Sequence, residues 1–215
     1  MKIGVFDSGV GGLSVANAIQ AALPEHEIIL REDHEHVPYA NRQPAELLGF
    51  VVPIFQDLIA EGCQVIVVAC NTVTTTLIKD LRQRFDIPLV GVEPMIKPAA
   101  ELTKSKVIAV CATPTTLASA RYAELKNSFA DGIQVLEPDC SDWSKMIEEN
   151  MIDHELIAER IGEVLGNGAD VIVLGCTHYH WIEEEIKHLA VDRAQVLQPE
   201  PALIEQLKQV LVRLG

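Results

Sequence analysis

Basic residues are scarce in this chain. Of its 215 residues, 17 are Lys or Arg against 31 Asp or Glu, a formal net charge of −14. Such a surface repels phosphate, so a role resting on neutralising a nucleic-acid backbone is excluded. Long apolar runs are missing too, and none reaches the roughly 20 residues of a membrane span. The opening "MKIGVFDSG" carries no basic stretch leading into an apolar one, so the expected compartment is the cytoplasm. The cysteines number five, without a CxxC pair among them. That argues against a disulfide framework and leaves free thiols. His34, His36 and His180 show no helical i, i+4 pairing and no second cluster, so no metal is expected.

What the chain does have is alternation. Short apolar runs predict strands at 3–6, 27–30, 65–69, 89–92, 106–111, 134–136, 171–175 and 196–197. Helical patterns cover 13–23, 44–62, 74–85, 114–129, 154–168, 181–190 and 202–214. Pro53 predicts a kink or break in the second of these. Strands of this kind separated by amphipathic helices mean parallel sheets covered on both faces.

The order also repeats. "KIGVFDSGVGGLS" (2–14) opens the first half and "KVIAVCATPTTLAS" (106–119) the second. "VIVVACNTVTTT" (65–76) and "VIVLGCTHYHWI" (171–182) fall at matching places later in each half. The expected fold is α/β: two similar doubly wound parallel-sheet lobes related by pseudo-two-fold symmetry, with the active site between them. The first lobe is residues 1–95 plus 197–215, its last helix folding back, and the second is 96–196. The linker falls near 93–100, where Pro94 and Pro98 sit.

Ligands of parallel α/β sheets bind at the carboxyl ends of the strands. Asp7, Cys70, Cys111 and Cys176 stand at such ends, and two facing lobes bring them to one crevice. Cys111 is expected where Asp7 lies in the first lobe, and Cys63 in the core. Cys70 and Cys176 each precede a helical pattern, whose N-terminal N–H groups favour an adjacent anion. One buried cysteine is a small hydrophobe; two at matching positions, each followed by Thr within two residues, point to chemistry. A racemase without a cofactor needs two acid/base groups on opposite faces of one carbon, one protonated and one not. "DSGVGG" approaches a dinucleotide loop, but Ser14 occupies the sixth position of GxGxxG and breaks that fingerprint.

Together "GVFDSGVGGLSV" (4–15), "VPYANR" (37–42), "ACNT" (69–72), "GVEP" (91–94) and "LGCTHY" (174–179) resemble the cofactor-independent aspartate/glutamate racemases, glutamate racemase most closely. The resemblance implies that Cys70 acts on the α-proton of the D-enantiomer, assisted by Asp7. Cys176 acts on that of the L-enantiomer, assisted by His178, with Glu148 as the acidic group of the second lobe. It implies Ser8, Pro38, Tyr39, Ala40, Asn71, Thr72, Thr115 and Thr177 as substrate-binding residues. It further implies no cofactor, D-glutamate made for peptidoglycan, and a homodimer as an assembly the family allows. Aspartate or another amino acid stands as the alternative substrate, and a non-catalytic binding paralogue as the alternative class. The chain departs from the pattern in places. It is shorter than the usual member. Where members carry "GDTARVPYG" it has "EDHEHVPYA", so Ala40 replaces a glycine beside the substrate's side-chain carboxylate. "PLVPLVEEG" has become "SDWSKMIEEN", and "IDSG" has become "LQPEP".

Overall fold

The computed structural model describes residues 1–40 and 42–215. Asn41, part of the VPYANR motif, lies outside the described residues. The strands are β1 (Lys2–Asp7), β2 (Glu27–Glu32), β3 (Val65–Val68), β4 (Leu89–Gly91), β5 (Val107–Ala112), β6 (Gln134–Leu136), β7 (Val171–Gly175) and β8 (Gln195–Leu197). The helices of the first half are α1 (Gly11–Ala22), α2 (Pro44–Ala60) and α3 (Asn71–Arg84). Those after it are α4 (Ile96–Leu102), α5 (Pro114–Leu117), α6 (Ala120–Phe129), α7 (Trp143–Glu148), α8 (His154–Gly166), α9 (Glu183–Leu189) and α10 (Glu200–Leu214). A 3-10 turn, Thr177–Ile182, follows β7.

Two four-stranded sheets form, in the orders β2-β1-β3-β4 and β6-β5-β7-β8, and every pairing is parallel. The second sheet repeats the first strand for strand. Period-2 alternation sends Ile3, Val5, Val65 and Val67 to one face, where α1 and α10 cover them. Phe6, Ile66 and Val68 go to the other, under α2 and α3. In the second sheet Ile108, Val110, Val171 and Val173 pack with α4 and α6, and Ala109, Ile172 and Leu174 with α8 and α9. Each fully buried Val, Leu or Ile contributes about 1.5–3 kcal/mol relative to exposure. Four such layers hold the lobes, and α10 closes the first through Leu203, Leu207 and Leu211.

Several expectations change. α2 runs unbroken through Pro53. The N–H that Pro53 lacks would have bonded the carbonyl of Gly49, and both residues lie exposed, so that carbonyl is open to solvent. The helix expected over 114–129 divides into α5 and α6, because the Ser119 hydroxyl caps the second by accepting the Tyr122 N–H at 3.1 Å. Part of the expected linker is helix α4, whose Ile96 and Ala99 are buried against the second sheet. α7 carries no periodic signal and went unanticipated.

Candidate active site

In each sheet the chain reverses its direction of travel between the first and third strands, and that switch point is where a ligand crevice opens. β1 ends at Asp7 and is followed by Ser8, while β3 runs into Cys70. β5 is followed by Thr113, and β7 by Cys176. The two switch points face each other, and one cavity lies between them. From the first lobe Ser8, Cys70, Asn71 and Thr72 line it, with the loop residues Pro38, Tyr39 and Ala40. From the second come Thr113, Ser144, Cys176, Thr177 and His178. The lobes are shut on it: the free volume is about 10 Å³, room for roughly one water.

Strand register fixes how the halves correspond. Ile3 pairs with Val65, and Ile108 with Val171. The repeat that carries Cys70 onto Cys176 therefore carries Phe6 onto Cys111, Asp7 onto Ala112 and Ser8 onto Thr113. Cys111 does not stand where Asp7 stands. A shift of one residue turns a side chain to the opposite face, and Cys111 lies fully buried in the layer under α8 and α9, away from the cavity. Cys63 is buried core, as expected.

The surroundings of the two thiols differ. Cys70 sits at the N-terminus of α3, and its Sγ lies 3.3 Å from the Ser8 hydroxyl. Burial pushes the Cys70 thiol up to about 12; the Asp7 carboxylate adds to this, and contacts with Ser8 and the Val73 N–H oppose it. Asp7 is itself wholly buried, and burial raises its carboxyl to about 6 against the charge of His178 and the hydrogen bonds it accepts. One of those crosses the lobes: the Thr177 hydroxyl donates to Asp7 at 3.1 and 3.3 Å.

Cys176 leads into the 3-10 turn, not into an α-helix, so the helix-terminus argument made for both thiols holds for Cys70 alone. In its place stands a side-chain relay. His178 Nδ1 lies 3.7 Å from the Cys176 sulfur, and its Nε2 lies 2.6 Å from Glu148 Oε1. Burial disfavours charge on the ring, but the hydrogen bonds to Cys176 and Glu148 outweigh it and hold the imidazole well above its usual range. Glu148, burial notwithstanding, is lowered by His178 and by the Val10 N–H. Ser144 Oγ lies 3.5 Å from the same sulfur.

The glycines of "DSGVGG" serve close approach. A Cβ at Gly9 would lie 1.9 Å from Glu148 Oε1, and one at Gly11 2.6 Å from Thr177. Only hydrogen fits where the second lobe meets this turn.

Asn71 is 2% exposed, lines the cavity, and leaves both its amide oxygen and nitrogen without a partner. A buried amide of that kind costs free energy unless something binds it. Thr72 shares its hydroxyl with Thr113 at 3.0 Å across the lobes. Thr115 is the exception among the expected binding residues. Its N–H donates to the Ala40 carbonyl at 3.1 Å, its hydroxyl is turned to the same oxygen, and it does not line the cavity. Ala40 is buried in the cavity wall and is not among the positive-φ residues, so its methyl takes space without backbone strain. Thr113 and Ser144 are cavity residues that sequence reasoning missed. Thr113 emerges only once strand pairing sets it against Ser8, and nothing in the sequence marks Ser144. Among the described residues no group of three His, Cys, Asp or Glu side chains could hold a metal ion. His34, His36 and His180 each face a different carboxylate: Glu32, Asp33 and Glu200.

Two like lobes present one thiol each to a shared cleft, the arrangement expected of a racemase, a class of isomerase. The model of the Asp/Glu/Hydantoin racemase family matches residues 13–207, and the chain belongs to that family. It is 37% identical over 218 residues to the glutamate racemase of Roseiflexus sp. (strain RS-1), covering 99% of this chain and 80% of that relative. The crystal structure of Escherichia coli glutamate racemase in complex with L-glutamate and the activator UDP-MurNAc-ala superposes with a TM-score of 0.87 at 30% identity, over 98% of this chain and 82% of that one. That of the Francisella tularensis glutamate racemase with D-glutamate gives 0.82 at 29%, over 99% and 81%. Among the described residues no helix is long and apolar enough to cross a membrane.

Proposed function

We propose that this protein racemises glutamate at two opposed thiols without a cofactor, and that its D-glutamate serves peptidoglycan assembly in the cytoplasm. The observation that carries this reading is the presentation of Cys70 and Cys176 to one cavity from corresponding strand ends of two like sheets. In the direction from L to D, the Cys176 thiolate takes the α-proton. The C–H bond breaks, an S–H bond forms, and the electron pair stays on carbon. The Cys70 thiol then delivers its proton to the other face, and the reverse direction exchanges the roles. The protonation states suit this start: the Cys70 thiol is pushed up to about 12 by burial and by Asp7, and the His178 ring is held charged beside Cys176. Asn71 offers its unpartnered amide, and Ser8, Thr72 and Thr177 offer hydroxyls to the substrate's charged groups. The lobes, taken as 1–95 with 197–215 and as 96–196, part for entry and close for chemistry. Closure excludes water and strengthens the contacts to a charged ligand.

Aspartate is the second reading, and the Ala40 methyl in the cavity wall favours it. The test is incubation of the purified protein with L-glutamate and with L-aspartate in D2O, following optical rotation and α-deuterium together. Glutamate is expected to lose rotation and gain deuterium faster. Greater turnover of aspartate would overturn the substrate, and exchange in neither acid would leave a non-catalytic paralogue.

A further inference from the structure

Both cavity thiols have a serine beside them: Ser8 Oγ lies 3.3 Å from Cys70, and Ser144 Oγ 3.5 Å from Cys176. Both serines are 5% exposed and line the cavity. The pair does not come from the repeat. The register-equivalent of Ser8 is Thr113, and Thr113 is engaged with Thr72 and Thr116, both at 3.0 Å. The second lobe draws its hydroxyl from α7, in the segment where the chain departs from the family's "PLVPLVEEG". A buried serine in a helical turn can bond back to the carbonyl four residues earlier. Here that carbonyl, of Cys140, already accepts the Tyr179 hydroxyl and the Trp143 N–H, each at 3.2 Å. The Ser144 hydroxyl is left to the Cys176 sulfur and to the neighbouring Tyr179 hydroxyl.

We infer that Ser144 is a positioning residue for Cys176, holding its thiolate as Ser8 holds that of Cys70. This rests on the two-thiol reading above. The hydroxyl donates to the sulfur while Cys176 is the base, and turns to accept from S–H once Cys176 has taken the proton. The hydrogen bond is therefore stronger at the step in which Cys176 removes the proton than at the step in which Cys70 does.

Because the two enantiomers are equal in free energy, kcat/KM must fall equally in both directions, so rates alone cannot locate the effect. Isotope effects can. In Ser144→Ala, kcat/KM should drop about tenfold both ways, the size of a hydrogen bond to a charged group. The deuterium effect with [2-²H]-L-glutamate should rise and that with [2-²H]-D-glutamate should fall. Ser8→Ala should give the reverse pattern, and Ser144→Thr should restore the natural values. Isotope effects that stay put in Ser144→Ala, or move alike for both enantiomers, would overturn the inference and leave Ser144 as packing.

A second measurement needs no turnover: the pH dependence of iodoacetamide alkylation, with modified cysteines mapped by mass. The groups around Cys176 and His178 are Glu148, Tyr179, Cys140 and Cys111, and from the first lobe Cys70 and Asp7. All are present in both proteins; the substitution removes the hydroxyl and, with it, the contact Ser144 makes to Tyr179. Ser144→Ala should move the alkylation midpoint of Cys176 to higher pH and leave that of Cys70 in place. A natural protein inactive on glutamate whose Cys176 midpoint still moves would sink the glutamate reading and uphold the serine; no movement would sink the serine.

Discussion

The Val10 N–H of the first lobe donates to Glu148 of the second at 2.9 Å, and the oxygen that accepts it is the one 2.6 Å from His178 Nε2. The partner of the histidine is thus fixed by the other lobe. The carboxylate at the end of the Cys176 relay is held from both lobes.

The thiols are the first test. Cys70→Ala and Cys176→Ala should each lower racemisation by at least roughly 10²–10⁴-fold, since each removes the acid/base group of one face. Polarimetry with either enantiomer checks this, and near-normal turnover by either variant would exclude a two-base mechanism. Exhaustive dialysis of the natural protein against EDTA should leave its rate unchanged in the same assay.

Asp7 gives a pH signature with a defined sign. Its carboxyl is raised to about 6 by burial, so between about pH 4 and pH 6 the folded protein binds more proton than the unfolded chain. The contribution of Asp7 to stability is greatest below that window and falls as pH rises through it, by about 3 kcal/mol at most. Asp7→Asn should therefore melt higher than the natural protein at pH 8, with the gap closing by pH 4. The natural kcat/KM should rise through about pH 6, and that limb should vanish in the variant together with most of the activity. Thermal melts and pH–rate profiles read the two effects separately.

Gly9 tests the relay from the opposite lobe. The Cβ of Gly9→Ala would lie 1.9 Å from Glu148 Oε1 and 2.9 Å from His178 Nε2. The carboxylate has to move, and a displacement of about 1 Å at such a site costs roughly 10²-fold in rate. The loss should appear in kcat/KM while the circular dichroism spectrum is kept; full activity would mean that Glu148 does not act through its present position.

Ala40 tests substrate length. If the methyl only fills slack, Ala40→Gly should leave the glutamate-to-aspartate ratio of kcat/KM unchanged. If it shortens the pocket, the ratio should climb, within the roughly 10–200-fold that one methylene is worth. Initial rates with both acids decide it.

The lobes and their thiols were legible because a repeat reports a symmetry directly, and because the apolar runs of 65–69 and 171–175 could only be buried strands. The place of Cys111 was not: its sequence position differs from that of Ala112 by one, and only pairing with β7 says which of the two matches Asp7. Thr115 was expected at the substrate only through the family resemblance, and no local pattern could show that its hydroxyl meets the Ala40 carbonyl, far away in sequence. Ser144 lies on a helix of six residues with no apolar period, so neither its helix nor its neighbour Cys176 could be read from local pattern.

The shared strand order has a bearing on ancestry. A dimer of identical half-length chains, paired about a dyad, would already set one cysteine on each side of a central ligand, because an isologous interface presents every residue twice. Such a dimer could not give its two sides different helpers. Joining both halves in one chain lifts that restriction, and the two halves here differ accordingly: Asp7 corresponds in register to Ala112, and Thr72 corresponds to His178. A repeated strand order is what such a fusion leaves behind, and the unlike neighbours of Cys70 and Cys176 are what it permits.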